Sequence, residues 1–350
     1  MDSTLPITTF EFGSASDQEY EALERFEAGL RAERMPGEPP IPPADMITAW
    51  RNIPPFVSAR AWAVWDGGEI VASAVLQLVM LESNQHMADV ALGVLPAWRG
   101  RGLARRLLAA LYPALAASDR RLVMVQTNDR VPVGAAWLER LGATRGVETH
   151  TNQLELAGLD RELLDRWLRG GEQAAAGFEL GAWDGPYPEE ELAAIADLHD
   201  VMNEQPFDQL EIEDVHMTPE QIRMMEKGVF ANGTERRTLY VRERATGKLA
   251  GFTEILWHPN RAHLARQLAT GVFPEFRGHG LGRWLKAAML ERVLRELPSV
   301  SVVRTDNADS NAPMLRINNE LGFKPYMAQV IWQLPAERLA DYLDAAPAMI

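Results

Sequence analysis

The sequence predicts a mixed α/β fold built twice in one chain. Three observations lead there. Helical and strand-like apolar periods alternate along all 350 residues. The stretch Gly93-Val94-Leu95-Pro96-Ala97-Trp98-Arg99-Gly100-Arg101-Gly102-Leu103-Ala104 returns as Gly271-Val272-Phe273-Pro274-Glu275-Phe276-Arg277-Gly278-His279-Gly280-Leu281-Gly282. The segments flanking the two copies correspond at offsets of 175 to 180 residues, so one unit occurs twice.

Each unit opens with a helical period, Asp17 to Arg34 and Pro188 to Met202. A loop follows, which in the first unit is the proline-rich 35–43, and then a second helix, Ala44 to Arg51 or Thr218 to Lys227. Thr218-Pro219-Glu220 reads as an N-cap, a proline at the first helical position and an acidic first turn. Two strands come next, Ala61 to Trp65 with Ile70 to Val79, and Thr238 to Arg242 with Leu249 to Trp257. Their turns are Asp66-Gly67-Gly68 and Ala245-Thr246-Gly247. A further strand, Met87 to Leu95 or Leu264 to Phe273, runs into the glycine turn and a long helix. In the second unit that helix carries Leu281, Trp284, Leu285, Ala288, Met289 and Val293 on one stripe, a core face. Pro113 is expected to end or kink its first-unit counterpart. A buried strand (Arg121 to Gln126; Val300 to Thr305), a last helix ending at Leu-Gly, and terminal strands near Thr151 to Leu156 and Ala328 to Leu334 complete each unit. Gly170-Gly171 and Ala174-Ala175-Ala176-Gly177 mark a boundary, giving domains at 1–157 and 178–350 with a linker helix at 158–177.

Composition narrows the function. Hydrophobic residues make up 47% and charged residues 24%, values of an ordinary globular protein. No apolar run approaches the roughly 18 residues that cross a bilayer, and the start Met1-Asp2-Ser3-Thr4 lacks signal-peptide features, so no membrane association and a cytoplasmic location are expected. There is no cysteine, which removes disulfides, thiolate metal sites and a cysteine nucleophile. The net charge of −14 argues against nucleic acid, whose phosphates need a basic footprint. Seven scattered histidines show no metal spacing.

A strand, a glycine-rich turn and a helix N-terminus make an anion site, because glycine lets the backbone come close and the first-turn N–H groups have no partner within the helix. Arg-x-x-Gly-x-Gly/Ala after such a strand resembles the acetyl-coenzyme A pyrophosphate loop of the GNAT acetyltransferase superfamily: Arg99, Gly102 and Ala104 match it once, Arg277, Gly280 and Gly282 again. The resemblance implies tandem GNAT domains, each with a mixed sheet, and acetyl-CoA as co-substrate without a metal. It places the diphosphate on Arg99, Gly100, Arg101, Gly102, Leu103 and Ala104, and on Arg277, Gly278, His279, Gly280, Leu281 and Gly282. Backbone groups of Val94 and Leu95, and of Val272 and Phe273, would pair with the pantetheine arm.

The family usually has an Asn before the last helix and often a Tyr seven residues later. The second unit keeps Asn311, assigned to the coenzyme site, but has Asn318 at the Tyr position, and an amide supplies no titratable proton. In the first unit the Asn slot is Val131 or Val133 and the Tyr slot Leu138, so that unit is expected to be catalytically degenerate. Catalysis is assigned to Glu254 and Asn318. Glu254 stands among apolar strand residues and is either a purposeful buried carboxylate or a solvent-facing edge residue. His263 and Gln267 could order a water; His86 and Asp89 are first-unit alternatives.

The loop 203–214 carries five carboxylates and no Lys or Arg, which reads as an attraction for a cationic amine or simply as a solvated acidic loop. The expectation is thus an acetyl-CoA-dependent N-acetyltransferase acting on a primary amine of a small cationic molecule by direct attack in a ternary complex. The rivals are a coenzyme A-binding sensor without turnover and a mycothiol synthase-like enzyme, whose tandem arrangement this chain resembles. Oligomeric state stays open.

Overall fold

The computed structural model describes residues 5–174 and 176–345. The first repeat runs β1 (Ile7–Glu11), α1 (Asp17–Arg34), α2 (Pro43–Arg51), β2 (Val57–Asp66), β3 (Glu69–Val79), β4 (Met87–Val94), α3 (Leu103–Ala116), β5 (Leu122–Asn128), α4 (Pro132–Arg140), β6 (Thr144–Glu155) and α5 (Arg161–Ala174). The second runs β7 (Phe178–Asp184), α6 (Leu192–His199), α7 (Pro219–Phe230), β8 (Glu235–Glu243), β9 (Leu249–Trp257), β10 (Leu264–Val272), α8 (Leu281–Glu296), β11 (Val302–Ala308), α9 (Ala312–Leu321), β12 (Lys324–Pro335) and α10 (Ala336–Asp344).

Local chemistry sets the helix starts. Ser16 and Glu19 form a capping box at α1, and Thr218 and Gln221 form one at α7 with Pro219 behind the cap. Gly102 and Gly280 cap α3 and α8 in the left-handed region, both at φ 75°, where a side chain is strained. Helix α3 runs on through Pro113 to Ala116, so the proline removes one N–H without ending the helix. The edge strands β1 and β7 precede the first helix of each repeat and carry little apolar signal: Ile7 to Glu11 has one buried residue, Phe10.

The chain packs as two compact units that are not its two sequence repeats. Among the described residues, unit 1 comprises 5–148, 209–213 and 329–345, and unit 2 comprises 149–174, 176–208 and 214–328. In unit 1 the strands lie in the order β1-β2-β3-β4-β5-β12, antiparallel except for the parallel pair β4 and β5, with Trp332 opposite Val125. The last strand and helix of the second repeat thus close the core of unit 1, where Trp332, Leu334 and Leu339 join Leu107, Leu111 and Leu115. In unit 2 the order is β6-β11-β10-β9-β8-β7, and β6, α5 and the turn between them, all of the first repeat, supply Leu154, Leu164 and Leu156 to the core around α8. A second apolar layer covers the opposite sheet face in each unit, under α1 and α2 in one and α6 and α7 in the other.

Segment 209–213 is a strap in unit 1. Gln333 holds it from both sides, its Nε2 donating to Gln209 O at 2.7 Å and its Oε1 accepting from Glu211 N at 2.7 Å. Arg121 pairs with Glu211 at 2.6 Å, and Glu213 Oε2 accepts from Asn84 N at 2.6 Å.

Two neighbouring glycines, expected to mark a boundary, sit inside α5 instead, and for different reasons. A Cβ at Gly171 would lie 2.1 Å from Trp284 Cδ1, whereas one at Gly170 meets nothing within 4 Å. Gly170→Ala should therefore raise stability by about 1 kcal/mol through helix propensity. Gly171→Ala should lower it by roughly 1–3 kcal/mol through overpacking against the indole, both read by denaturant unfolding.

Candidate functional site

The candidate site in unit 2 is built on the parting of β10 from β11. The two strands pair in parallel from Leu264 opposite Val302 to Gln267 opposite Thr305 and no further. On its other side β10 stays paired with β9, but the register shifts between Gln267 and Thr270, so one extra residue bulges there. A bulge bends and twists a strand, and this one lies just past the last β10–β11 pair, where a cleft begins between the two free edges. In unit 1, β4 and β5 also part, after Asp89 opposite Met124, but β4 pairs with β3 without a shift. The extra residue shows in the repeat spacing, which is 177 between Val90 and Gln267 and 178 between Leu92 and Thr270.

Which backbone groups face the cleft follows from the ladder. Phe273 N donates to Ala250 O at 3.0 Å and Leu95 N to Val71 O at 3.0 Å, so these N–H groups, expected to meet a ligand, are spent within the sheet. In an antiparallel ladder the intervening residues turn their groups the other way, which leaves the N–H of Val272 and of Val94 for the cleft. Their carbonyls accept from Arg277 Nε at 3.0 Å and Arg99 Nε at 3.1 Å. The two arginines differ beyond that: Arg99 is locked by Glu33 through both ends of its guanidinium, while Arg277 is half exposed and only 3.8 Å from Glu204.

The glycine loops are open cradles. Gly278 and Gly280 have φ of 85° and 75°, Gly100 and Gly102 both 75°, and a Cβ at any of them would meet nothing within 4 Å. Leu281 and Leu103 are buried as the first residues of α8 and α3, whose free N–H groups and dipole favour an anion. Gly271 and Gly93 serve packing: a Cβ there would lie 2.6 Å from Val201 Cγ1 and 2.5 Å from Leu30 Cδ1.

Asn311 caps α9, its Oδ1 accepting from Met314 N at 3.3 Å. Asn318 is 1% exposed; its Nδ2 donates to Asn307 Oδ1 at 2.7 Å, and its Oδ1 is buried without a partner. A buried acceptor left open suits a donor such as an amide N–H or a thiol, and it cannot deliver a proton to a thiolate. The first-unit counterparts are now fixed. Leu122 and Val302 both bond the carbonyl of the residue before their neighbouring strand, His86 and His263, so the spacing here is 180, not the 178 that the sequence suggests. Val131 matches Asn311 and Leu138 matches Asn318.

Glu254 is not an edge residue. It lies on the central strand β9, 7% exposed, and its Oε2 accepts from Tyr187 Oη at 2.8 Å and Thr238 Oγ1 at 3.2 Å. Arg236 Nε stands 3.6 Å away and also pairs with the buried Glu226. Burial pushes the Glu254 carboxyl up, with Arg236 opposing. Burial, then Arg236, lowers the nearby His199 to about 4, so that imidazole is neutral at pH 7.

Sequence reasoning missed the groups that the exchanged strand brings in. Strand β6 pairs with β11, and Thr151 Oγ1 donates to Asp306 Oδ1 at 2.5 Å. Asp306 is exposed, one residue beyond the last β10–β11 pair, and 3.7 Å from Arg266. His263, by contrast, sits at the closed end, its carbonyl bonded to Ser301 and Val302. Of the acidic loop, Glu211 and Glu213 are committed to Arg121 and Asn84 within unit 1, which removes two of its five charges from any attraction of cations.

On the α8 face of the cleft, Lys286 is 1% exposed. Its Nζ donates to Gln267 Oε1 at 2.9 Å, and burial alone lowers its pKa to about 7. The folded protein therefore releases this proton before the unfolded chain does, so the destabilisation is complete below pH 7 and is relieved as pH rises toward 10.5. Lys286→Leu should raise the thermal midpoint most below pH 7, with the gain shrinking toward pH 10.5 in a series of melting curves.

Comparisons agree with this geometry. The profile of the acetyltransferase (GNAT) family matches residues 26–143 and 194–323, which together are more than half of the chain. No curated protein sequence matches it. Among solved structures, a tandem GNAT protein from the clavulanic acid biosynthesis pathway is 27% identical, with a TM-score of 0.75 over 95% of this chain and 99% of that one. A GCN5-related N-acetyltransferase from Sphaerobacter thermophilus is 15% identical, with a TM-score of 0.63 over 95% and 97%, and shares the fold. With the profile covering both repeats and a tandem relative aligned end to end, the chain belongs to the GNAT family and is an acyltransferase of the N-acetyltransferase type.

Proposed function

We propose that unit 2 transfers an acetyl group from acetyl-CoA to the primary amine of a small molecule, by direct attack while both are bound. The observation that carries this reading is the parting of β10 from β11 at a bulge beside an open glycine cradle; unit 1 has the parting and the cradle but not the bulge. Acetyl-CoA supplies an activated thioester. The chain's own groups do the rest. Residues 278–282 offer N–H groups to a diphosphate, and Val272 offers its N–H to an extended arm along the strand. No cysteine is present to carry the acyl group, which favours direct transfer over a thioester intermediate on the protein.

The acceptor approaches the sheet face that carries Asp306 and Glu254. Asp306, exposed and steadied by Thr151, is an anionic partner for the ammonium form, which competes there with Arg266 at 3.7 Å. Glu254, with its carboxyl pushed up and its Oε1 bonded to nothing among the described residues, takes the proton through a water. Unit 1 holds a coenzyme without chemistry, because Val131 and Leu138 bring no polar group to its cleft. A second reading, a coenzyme-binding protein without turnover, draws on Asn318, whose open atom is an acceptor.

Thiol release from acetyl-CoA across a panel of primary amines tests the proposal. Turnover with at least one amine, lost about 100-fold in kcat on Glu254→Gln at an unchanged acetyl-CoA Kd, is the expected result. Binding with no amine ever acetylated would leave the second reading. For the cradle, Gly280→Glu is compared with Gly280→Ala. Both carry the strain of φ 75°, about 1–2 kcal/mol in stability. Only the glutamate puts a negative charge against the diphosphate, so only it should abolish acetyl-CoA binding to unit 2 by titration calorimetry.

A further inference from the structure

Lys286 is part of a buried polar line that the fold does not require. Lys286 Nζ donates to Gln267 Oε1 at 2.9 Å, Gln267 Nε2 donates to Thr253 Oγ1 at 2.9 Å, and Thr253 and Thr270 share a hydroxyl contact of 2.7 Å. Lys286, Gln267 and Thr253 are each 2% exposed or less, and Thr270 is half-buried at the cleft, immediately after the bulge. Thr305, 2% exposed, lies in register with Gln267, and around these residues is the apolar core packed on α8.

The other repeat is an internal control. Phe273 and Leu95 bond Ala250 and Val71, and Gly280 and Gly102 cap α8 and α3, which fixes the equivalent positions. Lys286 corresponds to Leu108, Gln267 to Val90, Thr253 to Ala74 and Thr270 to Leu92. Unit 1 carries four apolar side chains at these positions, on a strand that lacks the bulge, three of them buried and Leu92 packed against the core. A lone buried ammonium is costly to place in a core, so a line that leucine, valine and alanine replace without loss of fold serves something other than folding.

Its direction follows from the chemistry of the groups. An ammonium only donates, so the oxygen of Gln267 faces it and the amide nitrogen faces Thr253. The Thr253–Thr270 contact admits either hydroxyl as donor; in the direction that continues the line, Thr253 donates to Thr270 Oγ1 and the Thr270 proton has no partner in the line. Each bond polarises the next, so a positive charge at one end strengthens the last donor at the other. The amide in the middle cannot pass a proton on, so the line transmits polarisation only.

We propose that Lys286, Gln267 and Thr253 are positioning residues that set Thr270 as a strengthened hydroxyl donor to the charge developing on the thioester of acetyl-CoA in the cleft. This rests on the acyl-transfer reading of unit 2. A fixed donor aimed at developing charge acts on the chemical step more than on binding.

The experiment compares the full-length protein with Lys286→Leu, Thr270→Val and the double variant. Three quantities are read: acetyl-CoA Kd by calorimetry, the rate of thioester cleavage at saturating acetyl-CoA with and without the amine panel, and the thermal midpoint. Expected are a Kd within about twofold, a cleavage rate reduced roughly tenfold in each single variant, and about the same loss in the double, because one chain is broken in either place. Lys286→Leu should at the same time melt higher, since leucine is what unit 1 uses there. An unchanged cleavage rate, or single losses that multiply in the double variant, overturns the proposal. Wild-type protein that binds acetyl-CoA but never cleaves it also overturns it, while leaving coenzyme binding standing. Wild type that does not bind acetyl-CoA removes the acyl-transfer reading itself.

Discussion

The structure of unit 2 depends on one interruption of backbone hydrogen bonding. Past Gln267 and Thr305, β10 and β11 stop pairing, and every polar backbone group on the two free edges needs another partner. The bulge before Thr270 makes the parting abrupt, since β10 must keep its ladder with β9 while turning away from β11. From this follow the N–H of Val272 left for the cleft, the position of Asp306 just past the last pair, and the glycine loop beyond the end of β10. Function enters where the sheet cannot satisfy itself.

The two units show what is needed for the fold and what is added to it. Both have a left-handed glycine capping the helix after the loop, a glycine where a helical segment presses on β4 or β10, and an arginine bonded to that strand's last carbonyl. Only unit 2 adds a bulge, a buried carboxylate at Glu254 where unit 1 has Val75, and the line from Lys286 to Thr270. These additions carry desolvation costs that no packing requirement explains, which places them with the chemistry of the site. The exchange of terminal strands couples the repeats in a further way. Asp306 is steadied by Thr151, a residue of the first repeat that belongs to unit 2.

Much of the site was legible in the sequence where backbone geometry demands a residue type. Gly278 and Gly280 must be glycine at positive φ, and the pattern Arg277-Gly278-His279-Gly280 announces the loop. Glu254 stood out as a charge among apolar strand residues, and burial bears on why it is there. What stayed hidden depends on contacts across long separations. Nothing near Lys286 in the chain tells that Gln267 will meet it, because a lysine on an apolar helix reads as a solvated tip until the facing strand is known. The bulge left one trace, a single-residue change in repeat spacing between Val90 and Leu92 and their counterparts.

The sequence by itself determined the repeat, the order of helices and strands apart from the edge strands β1 and β7, the helix starts at Asp17 and Thr218, and the two glycine cradles. These are local properties: periodicity, capping and φ preference act within a few residues and leave their mark on adjacent letters. Only the tertiary structure decided that β6 and β12 cross into the other repeat's compact unit, which residues face the cleft, and which carboxylates are already paired. Strand pairing joins residues more than a hundred positions apart, and an apolar strand such as Met327 to Leu334 satisfies either sheet edge equally well by its pattern alone. The partner is chosen by packing, with Trp332 seated among the leucines of α3 and bonded to Thr127.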